Sequence, residues 1–452
     1  MDLIFILLAV IGFIVIATSK FKLHAFFTLL IASYIAAFAY GLAPLEIAKV
    51  IASGFGGILS YIGLVIVLGT IIGVILEKSG AAITMADWVV DRLGDRYPTL
   101  TMAIIGYIVS IPVFCDSGFV ILNSLKESMA KRMTVSPVAM SVALACGLYA
   151  THTFIPPTPG PIAAAGNLGL GSNLGIVIAM GAVIALVATI AGLIWANRFK
   201  HTVRDEEDEQ TPEQVLADYQ KIKASYGTLP SPVMAFAPIF VPILLICLGS
   251  IANFPSHPFG EGALAETFAF FGQPLNALLV GLFVATGLLK GNDKVEQFSK
   301  RIGEGLVVAA PILLITGAGG AFGAVLKATP IGDTLGSSLS ALGIGIFMPF
   351  IVAAALKSAQ GSSTVALVTT SALVAPLLPE LGLDSEMGRL LTVMAIGAGA
   401  MTVSHANDSF FWVVSQFSKM KVSLAYQAHT MATLVQGVTA MLVVYLFSLV
   451  LL

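Results

Sequence analysis

Apolar stretches of 15 to 23 residues recur along this chain, separated by short polar or glycine-rich intervals; residues 3–18, 25–39, 174–196, 233–252 and 430–452 are the clearest. Runs of this kind match what an α-helix needs to cross hydrocarbon. The pattern predicts an all-α polytopic membrane protein. Four intervals break it from within: "PVFCDSGF" (112–119), "THTFIPPTPGP" (151–161), "KSAQGSST" (357–364) and "SHANDSFF" (404–411). Proline and glycine interrupt a helix in the first three, and polar residues interrupt the apolar run in the fourth, so these intervals predict broken backbone inside apolar surroundings. Such backbone is tolerated at membrane depth only when it is buried in protein or lines a cavity.

Composition narrows the class. The 452 residues are 57% hydrophobic and only 11% charged, with mean hydropathy +0.94. That excludes a soluble catalytic domain, and no enzyme activity is expected. Cys115, Cys146 and Cys247 form neither a disulfide framework nor a zinc spacing, so no metal or cofactor is expected. A net charge of −2 gives no reason to expect nucleic acid. The first apolar run has no basic residues ahead of it and no small-residue cleavage site, which reads as a retained helix, not a signal peptide.

Charge sets the orientation. Basic residues that flank membrane helices favour the cytoplasm. With Lys20 and Lys22 inside, 19 of the 23 basic residues fall inside, Lys49, Lys327 and Arg389 fall outside, and Lys357 is left unplaced. Both termini are then expected outside. Arg96 and Lys126 share the inner side with only 29 residues between them, whereas two crossings need about 40. The segment at about 99–123 is therefore expected to enter and return as a re-entrant hairpin. Residues 198–232, with "RDEEDEQ" and a short amphipathic helix at 212–223, read as a cytoplasmic linker.

On either side of that linker the chain resembles itself. "GVILEKSG" (73–80) matches "GAVLKATP" (323–330), each after a Gly-rich apolar run, yet one copy ends inside and the other outside. The expected organisation is an inverted repeat, as in secondary transporters with a site at the repeat interface. The first copy spans 1–197, with a broken helix at about 137–166. The second spans 233–452, with a hairpin at about 339–378 and a broken helix at about 388–417. About ten full crossings result.

Ionisable groups inside a membrane are costly and need a partner or a purpose. Asp116, Lys357, Asp408, His152 and His405 cluster at the expected breaks. Asp116 is a candidate proton carrier, or plainly an N-cap for the second hairpin helix. Lys357 either contacts a bound anion or extends its head group to a water interface. Gly361, Ser362, Ser363 and Thr364 would let backbone N–H groups and hydroxyls approach an anion at a helix N-terminus. The hydroxyls of Ser117, Thr153, Thr158, Ser362 and Thr364 would bond the polyol part of a substrate, although such residues more often bond neighbouring helices. His24, His201, His257 and His429 sit at loops or helix ends and are given no role.

Together, "FCDSGFVIL", "HTFIPPTPGP", "GAGGAFGAVLK", "GSSTVALVTTSALVAPLLP" and "NDSFFWVV" resemble the gluconate:proton symporter (GntP-type) family across essentially the whole chain. The resemblance implies an inverted-repeat homodimer in the bacterial inner membrane. It would move a transport domain as an elevator and carry small hydroxylated monocarboxylates such as gluconate, related sugar acids or D-serine. It implies proton coupling at Asp116 and Asp408, and a substrate site including His152, Lys357, Asn407 and Ser409. Asp116 falls where relatives commonly carry glutamate, Lys357 where they carry a basic or imidazole side chain, and Asp408 with Ser409 matches the family's Asp-Ser pair. "CDSG" and "SHAN" depart from the family pattern, so a shorter acid such as glycerate is as reasonable a substrate as gluconate. A sodium-coupled carboxylate transporter and an anion channel built on hairpins are the competing readings. An intramembrane aspartyl protease using Asp116 and Asp408 has motifs of another kind and gives the prolines no role.

Overall fold

The computed structural model describes residues 2–93, 96–204, 212–252, 258–291, 293–329, 345–406 and 408–452, and every regular element among them is helical. Before the polar stretch come α1 (Asp2–Ser19), α2 (Ala25–Ala39), α3 (Pro44–Ser79), α4 (Ala81–Leu93), α5 (Pro98–Val109), α6 (Cys115–Arg132), α7 (Pro137–Phe154), α8 (Pro159–Asn167) and α9 (Leu174–Ala196). The polar stretch itself contains α10 (Pro212–Ser225). It is followed by α11 (Pro232–Ala252), α12 (Ala263–Phe271), α13 (Pro274–Thr286), α14 (Lys294–Lys327), α15 (Phe347–Gln360) and α16 (Ser363–Val374). The last group is α17 (Glu386–Met401), α18 (Ser409–Phe417), α19 (Val422–Ala425) and α20 (Met431–Leu451), with a π-helical turn, Tyr426–Thr430, joining α19 to α20.

The two longest helices form an antiparallel pair. Pro44 opens α3 where its missing N–H is harmless, and Gly80 closes it in the left-handed region at φ 80°. Its 36 residues span about 54 Å. Gly54 lies against Gly320, Gly63 against Leu313, and Ile71 against Gly305. Numbers fall along α14 as they rise along α3, so the helices run in opposite directions. A Cβ at Gly54 would sit 2.6 Å from the Gly320 carbonyl oxygen, so the close crossing needs glycine.

Six helical segments among the described residues are long and apolar enough to cross a membrane, and α12 with α13, bent by 73° at their junction, make a seventh if counted together. Burial separates them into layers. The α7–α8 segment is wholly buried, whereas no more than 33% of the α11 and α20 segments is. The interrupted α7–α8 segment therefore lies in the interior, with α3 also largely buried, and α11 and α20 lie at the perimeter.

Each interruption has a local cause. Ile155 is extended because the residue before a proline avoids the helical region, and Pro159 at the first position restarts the chain as α8. Gly361 ends α15 at φ 88°, and the Ser362 hydroxyl caps α16 by accepting from Val365 N. Thr402 leaves α17 in an extended conformation, and Asp408 caps α18 by accepting from Phe410 N. Phe114 occupies the N-cap of α6 without a side-chain bond. Asp116 is thus in the first turn of α6 and not its N-cap, which removes the plain reading of that residue.

Candidate functional site

Four helix starts meet at the centre of the molecule. Those of α6 and α18 face each other, with Asp116 beside Ser409 and the Phe119 and Phe410 rings packed edge to face at 6.2 Å. Those of α8 and α16 lie side by side: a Cβ on Gly160 would meet Thr364 Cα at 3.6 Å, an ordinary van der Waals contact. Tyr149 of α7 links the two pairs, its ring stacked on Phe410 at 5.1 Å and its hydroxyl beside Ser363. Free backbone N–H groups and the positive dipole end of each helix are thereby directed at one region. That arrangement favours an anion.

The charges within it are one ammonium and two carboxylates. Lys357 Nζ lies 2.6 Å from Asp408 Oδ2, donates to the Gly361 carbonyl, and sits over the Tyr149 ring at 5.8 Å. Its side chain is fully buried, which excludes the water-interface reading. Asp408 accepts from Phe410 N through Oδ1 (3.1 Å) and from the Ser404 hydroxyl through Oδ2. Asp116 feels both Lys357 and Asp408, and its Oδ1 is buried without a hydrogen-bond partner among the described residues. The same is true of His152 Nδ1. Buried polar atoms are nearly always bonded, so unpaired ones grouped beside the charges mark where a polar molecule would be held.

The geometry revises several sequence-based expectations. Lys357 was expected to face a substrate carboxylate, yet its strong partner is Asp408, 51 positions away in sequence. Two hydroxyls assigned to substrate are already donors to backbone: Thr153 to Tyr149 O and Ala150 O, and Thr158 to Ile155 O. Only their oxygens remain, as acceptors. The Ser362 hydroxyl is occupied by Val365 N. Ser117 and Thr364 are half-buried and Ser409 is exposed, at the accessible rim. His405 reaches Ser358 O at 3.0 Å and ties the α17–α18 break to α15. Asn407 lies outside the described residues.

Other groups escaped sequence reasoning. His429 is 1% exposed and 3.1 Å from Ser404 Oγ, so it belongs to the Asp408 network. No sequence signal separates such a histidine from one at a helix end in water. Lys126 is fully buried at the far end of α6, 2.8 Å from Glu127, and Arg204 holds Glu127 through two nitrogens at 3.2 and 2.7 Å. Arg204 also donates to Ser418 O, at the end of α18 (3.1 Å). Burial alone would raise the Glu127 carboxyl, but the charges of Lys126 and Arg204 outweigh it and hold the group below the ordinary carboxylate range. This cluster fastens the ends of α6 and α18 to the polar stretch. Beyond it, Tyr219 and Lys223 of α10 both bond Asp87 of α4.

Comparison with known proteins supplies the context. A sequence profile described as GntP family permease matches residues 1–450. A gluconate permease of Pseudomonas aeruginosa is 32% identical over 449 residues, covering 98% of this chain and 97% of its own. The D-serine transporter DsdX of Escherichia coli is also 32% identical over 449 residues, covering 98% of each chain. The crystal structure of the YdaH transporter of Alcanivorax borkumensis superposes with a TM-score of 0.63 over 90% of both chains at 15% identity, a likeness of fold alone.

Proposed function

The chain belongs to the GntP permease family, and from that membership we propose that it imports a small hydroxylated monocarboxylate together with a proton. The observation that carries the reading is the convergence of four helix starts on Asp116 and the Lys357–Asp408 pair. An ammonium has three N–H donors. Two of those of Lys357 serve Asp408 and Gly361, which leaves one for a substrate carboxylate beside the helix dipoles. Ser117, His152, Ser363, Thr364 and Ser409 line the polyol side, with the oxygens of Thr153 and Thr158 as acceptors. Asn407, which lies outside the described residues, is assigned to substrate from the sequence. The relatives, a gluconate permease and a D-serine transporter, support small hydroxylated acids as the substrate class. Glycerate is as good a candidate as gluconate.

Asp116 takes the proton in this reading. One cation faces two carboxylates, so a second negative charge from substrate would be unfavourable unless a proton came with it. The crossings are α1, α2, α3, α7–α8, α9, α11, α12–α13, α14, α17–α18 and α20, with α5–α6 and α15–α16 as re-entrant hairpins and both termini outside. Several contacts support the inverted repeat. The equivalent helices α3 and α14 run antiparallel. Gly147 of α7 meets the Ala103 carbonyl of α5 just as Gly399 of α17 meets the Phe350 carbonyl of α15. Gly181 of α9 abuts the end of α7, as Gly437 of α20 abuts Thr402 at the end of α17. Alternating access would move the interrupted helices against the perimeter in a homodimer of the bacterial inner membrane.

The deciding experiment is uptake of a panel of labelled three- to six-carbon hydroxy acids into proteoliposomes, with and without a pH gradient. Accumulation that needs the gradient supports the symporter. Accumulation driven by a sodium gradient alone, or a conductance without counterflow of preloaded substrate, overturns it.

A further inference from the structure

Ser404, in the break before α18, has all three of its polar groups bound by one stretch of chain. Its N–H donates to Thr433 Oγ1 (3.0 Å), its carbonyl accepts from Thr430 Oγ1 (2.6 Å), and its Oγ lies 3.1 Å from His429 Nε2. The preceding Val403 holds φ at +63°. A β-branched residue adopts that conformation only where its surroundings over-determine it. His429 lies in the π-helical turn ahead of α20 and packs edge-on against Phe410 at 5.4 Å. Turns of this kind are frequent at functional sites.

The hydrogens follow by elimination. Ser404 has one hydroxyl proton and donates it to Asp408 Oδ2. Its oxygen therefore accepts from His429, which assigns the imidazole proton to Nε2 and leaves Nδ1 a bare acceptor. Nδ1 is buried and has no partner among the described residues. In the reversed chain, Ser404 would donate to Nε2 and Nδ1 would carry a proton facing no acceptor, and a buried unsatisfied donor is costly. Every hydrogen in the chain thus points toward Asp408.

We propose that His429 is a positioning residue: its Nε2–H aims the Ser404 hydroxyl at Asp408 and so holds Asp408 as the anionic partner of Lys357, leaving Asp116 as the carboxyl that receives the transported proton. The inference rests on the reading of Asp116 and Asp408 as the site carboxylates. The charged groups acting on His429 are Asp408 and Lys357. From α7, Tyr149 and His152 both interact with Asp408, and from α6 Asp116 faces the same pair.

The test follows the carboxyl carbon signal of Asp408 against pH by NMR, on purified protein carrying isotopically labelled aspartate. The signal is assigned by its disappearance in Asp408→Asn. His429→Leu and Ser404→Ala should each move the Asp408 titration to higher pH by the same amount, and the double variant should move it no further. His429→Gln keeps an N–H within reach of Ser404 and should titrate as the wild type does; a merely packing role would not be rescued this way. An unmoved titration in His429→Leu or Ser404→Ala, or single shifts that add in the double variant, overturns the proposal. If His429→Leu does not fold, His429→Phe, which keeps a ring against Phe410 and lacks the N–H, takes its place in the same comparison. No transport enters this measurement. A wild-type protein that fails to accumulate substrate under a pH gradient would end the symport reading and leave the Asp408 shift to be judged by itself.

Discussion

Lys357 and Asp408 form an ion pair at 2.6 Å with side chains 0% and 5% exposed, joining the end of α15 to the start of α18. Removing one partner of such a pair strands the other charge in a low-dielectric interior, at a cost of roughly 3–5 kcal/mol. Lys357→Gln and Asp408→Asn should each lower the unfolding midpoint of the purified protein sharply, and the double variant should recover part of the loss. Substrate binding should not recover, because the free N–H of Lys357 is gone. Calorimetry on folded Lys357→Gln should find affinity weaker by about 1.5–3 kcal/mol, the range for a hydrogen bond to a charged group. Unchanged affinity would remove Lys357 from the substrate site.

For Asp116 the expected effect is on coupling. Asp116→Asn should lose accumulation driven by a pH gradient while keeping counterflow of preloaded substrate. Normal uphill accumulation in this variant would place the proton elsewhere.

Two glycines separate tight backbone contact from yielding side-chain contact. A Cβ at Gly147 would come 2.1 Å from the Ala103 carbonyl oxygen, whereas one at Gly160 would meet Leu367 Cδ1 at 2.7 Å, the mobile end of a side chain. Gly147→Ala should destabilise by about 1–3 kcal/mol through overpacking. Gly160→Ala should be tolerated in melting temperature, since Leu367 can turn aside. Equal effects in thermal unfolding would contradict this picture of the α5–α7 crossing.

The Lys126–Glu127–Arg204 cluster predicts a pH dependence of stability. The Glu127 carboxyl is held below its ordinary value in the folded protein. Its contribution is therefore complete above the unfolded value of about 4.3 and is lost as pH falls through the lower, folded value. Glu127→Gln should be less stable at neutral pH by about 1.5–3 kcal/mol and should lose less further stability than wild type on acidification. Parallel stability curves for the two proteins would refute the assignment.

Orientation can be read by labelling. Ser128 is buried, but Thr134 beyond α6 and Asp384 before α17 are exposed, and Cys115 and Cys146 are buried. Thr134→Cys should react with impermeant maleimide only from the cytoplasm, and Asp384→Cys only from outside. Labelling of both from one face would end the inverted arrangement.

Much of this was legible in the residues, and for stated reasons. Proline and glycine act locally, so the interruptions at Ile155 and Gly361 follow from their immediate neighbours. An apolar period sets helix class without tertiary information. Partnership is another matter. Sequence says that Lys357 needs a counter-charge at depth, but the choice of Asp408 depends on how α15 packs beside the α17–α18 break. The same holds for Lys126, whose flanking charges look like an interface and are in fact enclosed. His429 acquires its role only from the fold around Ser404.

The pairing of α8 with α16 and of α6 with α18 bears on how the chain is made. Each polar helix start emitted early by the ribosome finds its neighbour only in a segment synthesised roughly 200 to 300 residues later. Until α16 and α18 emerge, the first half would hold Asp116 and the broken α7–α8 segment against lipid or water, an exposure that membrane insertion and quality-control machinery must tolerate. A chain stopped in the polar stretch before α11 should therefore be degraded as an orphan, and co-expression of the missing second half should rescue it.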